Sequence, residues 1–311
     1  MNTPVALIVF NRPEPTAQVF AAIRQAQPSH LFIISDGPRA DRPEDLERCQ
    51  AVRAIVDQVD WPCDVQTSYA EKNMGCKYRV ASGLDWVFSL VEEAIILEDD
   101  CLPHPSFFTY CENLLEKYRD DRRIGIISGH NNLFGYRRSS DSYYYSNIPY
   151  IWGWATWRRT WEAYDFDISL WPEVRDSGKL KDIFKHDIEV KTWTSIFDYQ
   201  YDGYFNAWDY QLTFASLINN WLNIIPSTNL ISNLGFTDDA THTKNSNDPL
   251  SKQLTQEMIF PLTHPKVMIH DQISERKVFY KSVYSPFTLR WERKIKKFLK
   301  ESQIKKNGSC L

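Results

Sequence analysis

The chain begins with a pattern of short apolar runs separated by helical repeats. Val5–Phe10 is continuously apolar, the pattern of a strand buried on both faces. Pro13 and Pro15 end it and open a helix with Val19, Phe20 and Ile23 on one side. Leu31–Ile34 predicts a second buried strand, stopped by Asp36-Gly37-Pro38, and Leu46, Cys49, Val52, Val56 and Val59 follow at helical spacing. Val65, Thr67 and Tyr69 predict a third strand, Val80, Leu84, Val87 and Phe88 a third helix, and Ala94–Leu97 a fourth strand. A helix over Phe107–Tyr118 and a strand over Ile124–Ser128 complete this part. Beyond about residue 130 the alternation fades into the aromatic stretches Tyr143-Tyr144-Tyr145 and Trp152-Gly153-Trp154, with helical patterns near Leu180–Tyr199 and Tyr210–Ile218.

Strands alternating with helices imply an α/β protein: a Rossmann-like, mostly parallel sheet flanked by helices. Ligands of such sheets bind at the carboxyl ends of the strands. The polar signals Asn11-Arg12, Asp36 and Glu98-Asp99-Asp100 each follow an apolar strand directly. The expected division is one unit over residues 1–264, with a nucleotide-binding half (1–130) and an acceptor-binding half (131–264), then a C-terminal helical extension over 265–311.

Composition changes the picture in three places. Apolar content of 43% and charged content of 24% are those of a globular chain. The net charge of −4 is uneven: residues 281–311 carry nine Lys/Arg against two Glu, leaving −11 on the other 280 residues. An acidic body argues against nucleic acid as a partner. The tail positions Trp291, Ile295, Phe298 and Leu299 recur at helical spacing among Arg293, Lys294, Lys296, Lys297 and Lys300. That is a basic amphipathic helix, suited either to an anionic membrane interface or to packing on the protein's own body. Cys49, Cys63, Cys76, Cys101, Cys111 and Cys310 show no zinc spacing and are expected as free thiols. Val5–Phe10 is too short for a signal core, so the expected location is cytoplasmic, with possible attachment of 281–306 to the inner face of the cell membrane.

The turn Phe10-Asn11-Arg12-Pro13 has no glycine, which argues against a dinucleotide fingerprint and a P-loop. A diphosphate bound here needs another source of positive charge. Three adjacent carboxylates, Glu98-Asp99-Asp100, repel one another unless a cation sits among them, and Mg²⁺ or Mn²⁺ commonly bridges one or two carboxylates to substrate phosphates.

These residues resemble a known group. Ile95-Ile96-Leu97-Glu98-Asp99-Asp100-Cys101-Leu102-Pro103 looks like the strand and metal motif of glycosyltransferases with the GT-A fold. The Glu-Asp-Asp form is similar to that of N-acetylglucosaminyltransferase I. Trp152-Gly153-Trp154-Ala155-Thr156-Trp157 resembles a segment of related bacterial sugar transferases. The resemblance spans roughly residues 4–245 and implies roles. Asp100 would bind the metal (Mn²⁺ or Mg²⁺), Asp99 the ribose, and Glu98 the metal shell or donor sugar. Phe10, Asn11 and Arg12 would line the nucleotide pocket, with Asp36 near the base unless Asp36-Gly37-Pro38 is an ordinary turn. Asn73 and Gly75 would lie near the donor, and Lys77 or Arg79 would face the diphosphate. Trp152, Trp154 and Trp208 are expected on the acceptor side. Asp209 is the candidate general base, opening a helical pattern through Leu212, Phe214, Ala215 and Ile218; it would serve equally as a helix N-cap, and Asp202 is the weaker candidate. His242, in Asp238-Asp239-Ala240-Thr241-His242-Thr243, is a candidate metal ligand or a surface residue.

The function implied is inverting transfer of a sugar from a nucleotide donor, UDP-linked first, to a glycan or lipid-linked acceptor. Sugar-phosphate nucleotidyltransfer is the second enzymatic reading, disfavoured by the glycine-free first turn. A non-catalytic glycan- or nucleotide-binding protein is the third.

Overall fold

The computed structural model describes residues 1–236 and 249–284. The first half follows its apolar pattern: β1 (Val5–Val9), α1 (Pro13–Ala26), β2 (His30–Ser35), α2 (Glu44–Val56), β3 (Asp64–Tyr69), α3 (Cys76–Leu90), β4 (Glu93–Glu98), β5 (Cys101–Pro103), α4 (Ser106–Tyr118) and β6 (Ile124–Ser128). The second half adds β7 (Tyr143–Ser146), β8 (Trp154–Trp157), α5 (Arg158–Trp161), α6 (Trp171–Asp176), α7 (Leu180–Ile183), α8 (Asp187–Tyr201), α9 (Asp209–Ile218), β9 (Leu222–Pro226), β10 (Ile231–Asn233) and α10 (Gln272–Val278).

Eight strands form one sheet in the order β3-β2-β1-β4-β8-β6-β9-β7, and β5 pairs with β10 in a small second sheet. β1 runs parallel to β2 and β4, β2 to β3, and β6 to β9. β8 is antiparallel to both β4 and β6, so these two share a direction. The sheet is therefore mostly parallel, and the carboxyl ends of β1, β2, β3, β4, β6 and β9 share one edge. Trp154, opening β8, pairs with Ile96 and Ser128 near that edge.

Helices cover both faces, as the two-residue period of β1 requires. Val5, Leu7 and Val9 pack with α1, α2 and α4 through Phe20, Val52 and Leu114. Ala6 and Ile8 pack with α3 and with Trp154, Trp161 and Trp208. A third cluster, including Trp171, Trp193, Phe197 and Phe214, holds α6, α8 and α9 together.

The strands β7, β8 and β9 stand where the pattern predicted only aromatic and irregular chain. β7 and β8 have four residues each, too short for a period to register. β8 is buried throughout, so its aromatic residues are sheet interior. The boundary expected at 265 is not a break in packing. Asp271 N donates to Tyr145 O (2.8 Å), Glu275 Oε1 accepts from Asn147 N (2.5 Å), and Phe279 joins the third cluster. The amphipathic positions from Trp291 onward lie outside the described residues. Cys49, Cys63, Cys76, Cys101 and Cys111 are free thiols.

Candidate active site

The turn after β1 reaches across to the end of β4. Phe10 N donates to Asp99 Oδ2 (3.1 Å), and the Arg12 guanidinium forms a fork, one arm on Asp99 Oδ1 and the other on Asp100 Oδ2 at 2.8 Å. Burial opposes the charge on Arg12, but Asp99 and Asp100 outweigh it, and its pKa is raised. Arg12 was expected against the nucleotide. It is instead the protein's own counter-charge to the acidic run. Asp99, expected against a ribose, has one oxygen on Arg12 and the other on Phe10 N and is only 2% exposed. Asn11 donates to the buried Asp45 (2.6 Å), which also takes the Arg39 fork, and Arg39 covers the Phe10 ring at 5.4 Å.

Asp36, at the end of β2, organises the next loop. Its Oδ1 accepts from Gly37 N and Met74 N (2.8 Å each), and its Oδ2 from Asn73 Nδ2 (2.9 Å) and Gly75 N (3.1 Å). The carboxylate thus replaces backbone partners for a loop that Gly75 can complete because it adopts φ +79. Lys77 lies with its ammonium over the Phe166 ring (4.1 Å), and burial lowers its pKa. Arg79 is buried, with Nε donating to Ser35 O (3.2 Å) and Nη2 to Ser68 Oγ (2.8 Å), so it ties the ends of β2 and β3 together and does not face a diphosphate.

The segment before α9 closes the other side. Asn206 Oδ1 accepts from Lys77 N (3.2 Å), and a Cβ on Gly75 would lie 3.3 Å from Asn206 Nδ2. Trp208 stacks on Trp154 (5.7 Å, 23°), its carbonyl accepts from Tyr164 Oη (3.1 Å), and Gln200 Nε2 donates to Ala207 O (3.2 Å). Asp209 follows as the first helical residue of α9, one position inside the N-cap, which is Trp208. Trp154 and Trp208 are 0% and 3% exposed, so they support this segment from within the core and offer no face to an acceptor. Trp152 is half-buried, tilted by 30° over His130 (4.3 Å) and edge-on to Phe236 (5.9 Å). His130 is buried, which depresses its pKa to about 3.

One side chain that sequence reasoning missed marks the centre. Burial, then the charges of Glu98, Asp209, Asp100 and Asp36, all raise the pKa of the Cys76 thiol at the start of α3. Charges from three separate parts of the chain thus act on one thiol, which stays neutral. Burial and the charges of Asp100 and Asp99 push Glu98 up to about 8. No hydrophobic or spacing signal singles out Cys76. Asn206 and Gly235 were also missed. A Cβ on Gly235 would fall 2.2 Å from Asp100 Oδ2, so any other residue there would displace the Asp100 carboxylate. Asp238, Asp239 and His242 lie outside the described residues.

Among the described residues, no group of three or more His, Cys, Asp or Glu side chains is disposed to hold a metal alone. A magnesium-type ion needs less, because one or two carboxylates suffice when phosphates complete the shell. Glu98 and Asp100 fit that role: the single guanidinium of Arg12 is shared by Asp99 and Asp100, and among the described residues Asp100 Oδ1 has only the weak Cys101 thiol donor, at 3.5 Å.

The Arg12 fork gives a stability prediction. Arg12→Ala leaves Asp99 buried without its cation, and breaking a buried pair destabilises by about 3 kcal/mol or more. The low end applies, because the Arg12 side chain keeps 24% of its surface exposed. Losing Arg12 raises the folded-state pKa of Asp99 further, so the penalty is full at neutral pH and shrinks as pH falls and Asp99 protonates. Urea unfolding at pH 7 and pH 4.5 should show a smaller wild-type-to-variant gap at the lower pH. An equal gap would mean that the fork does not neutralise Asp99.

No protein-family model and no curated protein matches the sequence. Solved structures with a partial likeness include a mannosyltransferase from Pyrobaculum calidifontis in complex with GDP-Man and Mn²⁺. It is 15% identical with TM-score 0.38, and the match covers 54% of this chain and 49% of that one. A 4-diphosphocytidyl-2C-methyl-D-erythritol synthase from Anaerococcus prevotii is 12% identical with TM-score 0.35, over 60% of this chain and 85% of that one. The galactosyltransferase LgtC, in complex with donor and acceptor sugar analogs, is 9% identical with TM-score 0.35, over 69% and 70%. The chain thus spans less than half of that mannosyltransferase, and likenesses this slight fix no activity for it.

Proposed function

We propose that this chain is an inverting glycosyltransferase that moves a sugar from a nucleotide donor, UDP-linked, to a hydroxyl of a glycan or lipid-linked acceptor. The observation that carries the proposal is the Arg12 fork, which joins the turn after β1 to Asp99 and Asp100 at the carboxyl end of β4. A solvated acidic turn gains nothing from a buried arginine fork.

Glu98 and Asp100 would hold Mn²⁺ or Mg²⁺. When bound, the ion supplies charge that offsets the diphosphate of the donor. Arg12 keeps Asp99 and Asp100 in place. The Phe10 ring and the backbone of Phe10 and Asn11, with the loop of Asn73, Gly75 and Lys77 held by Asp36, would form the donor wall. Asp209 would take the proton of the acceptor hydroxyl as its oxygen attacks the anomeric carbon, opposite the departing nucleoside diphosphate. Asn206 and Trp208 fix the approach of Asp209, and Trp152 is the aromatic face left for the acceptor.

The reading is tested by metal uptake against pH. Glu98 is protonated below about 8, so a cation must displace its proton. Apparent Mn²⁺ affinity in the presence of UDP is expected to rise about tenfold per pH unit between neutral and mildly acid conditions, and to level off above the Glu98 pKa. Calorimetry in two buffers of different ionisation enthalpy should find close to one proton released per ion near pH 6.5. Binding without proton release would remove Glu98 from the metal shell. Absence of Mn²⁺-dependent UDP binding at any pH would overturn the donor site itself.

A further inference from the structure

A second surface combines exposed aromatic rings with unpaired cations. The loop after β6 leaves the carboxyl edge of the sheet and carries Phe134 and Tyr136, 39% and 37% exposed, followed by the exposed Arg137. α10 continues into a π-helical turn over Phe279–Val283, and from these two elements Lys277 and Lys281 lean on that loop. Lys277 Nζ sits 4.2 Å from the Tyr136 ring centre, and Lys281 Nζ 4.7 Å from that of Phe134. Tyr280, between them, is 47% exposed. Among the described residues, Arg137, Lys277 and Lys281 have no carboxylate partner. Arg138 does, on Asp271 (2.5 Å), and Glu275 is engaged by His270 (3.1 Å).

We propose that this face docks the protein on an anionic phospholipid surface, with the rings entering the headgroup layer and the lysines meeting lipid phosphates. Tyr136 and Tyr280 suit that layer because the ring is apolar and the hydroxyl tolerates water, and Phe134 adds apolar area. Long cationic side chains bury their stems there and keep their charge at phosphate level. In the sequence, residues 281–311 carry nine Lys/Arg against two Glu, charge of the same sign. Among the described residues no helix is long and apolar enough to cross a membrane, so the contact is with the surface. The proposal stands apart from the transfer chemistry, because it concerns binding alone.

The full chain is tested by co-sedimentation with vesicles of phosphatidylcholine, with and without phosphatidylglycerol. Wild-type protein should sediment with the anionic vesicles only. K277E/K281E should lower the apparent affinity at least about tenfold, and F134S/Y136S comparably, with unchanged thermal unfolding. Hydrogen exchange should slow over 133–138 and 273–281 when anionic vesicles are added. Vesicle binding unchanged in both variants would overturn the proposal and assign any attachment to the tail. Equal binding to neutral vesicles would overturn it too, as would binding to an RNA or heparin polyanion with none to vesicles.

Discussion

Asp209→Asn is expected to lower transfer to acceptor by about 10²–10⁴-fold, the usual worth of a positioned general base. Donor binding should change little. The carboxylate stands at the first helical position of α9, and the segment before it is held by the Trp208–Trp154 stack and by hydrogen bonds from Tyr164 and Gln200. Asparagine has the same shape, so the helix should persist with a loss of about 0.3–1 kcal/mol from the missing charge at its N-terminus. The effect should therefore fall on kcat and leave the donor KM near its wild-type value. A variant that transfers normally would move the base elsewhere, with Asp202 the first alternative. A variant that unfolds would be recognised by its melting curve, and Asp209→Glu then offers a milder displacement of the same group.

Asp100→Asn should have an equally large effect by a different route. Charge stabilisation of a leaving diphosphate is worth several kcal/mol, which corresponds to roughly 10³-fold in rate. The variant should lose Mn²⁺-dependent donor turnover on that scale. It should also act on Glu98, whose pKa is held up by burial first and by the Asp100 charge next. Without that charge Glu98 should ionise at lower pH, which carboxyl NMR or infrared titration can follow without any substrate. Loss of turnover together with a lowered Glu98 pKa supports one shared site. Intact turnover would contradict the metal assignment.

The strands and helices of the first half could be read from residue types because each is long enough for its period to appear. β1 is buried along its whole length, and α3 presents Val80, Leu84, Val87 and Phe88 to the core at helical spacing. β8 defied such reading: four residues with tryptophan at both ends look like a binding segment until the antiparallel pairing with β4 and β6 places them inside the sheet. The candidate site divided in the same way. The acidic run after β4 and the glycine-free turn after β1 were visible locally. Their union through Arg12 was not, because it joins residues 87 and 88 positions apart. Asp36 carried the right signal, a polar residue ending a strand, but its four donors come mostly from residues 37 to 39 positions further on. Cys76 gave no signal, since the charges that raise its pKa come from residues as far along the chain as Asp36 and Asp209.

The most direct test of the account is release of nucleotide from a panel of UDP-, GDP- and dTDP-sugars, measured with Mn²⁺ and again with EDTA. Release from UDP-sugars should depend on the metal and disappear in Asp100→Asn. Release that persists in EDTA, or no release from any sugar nucleotide under either condition, would contradict it.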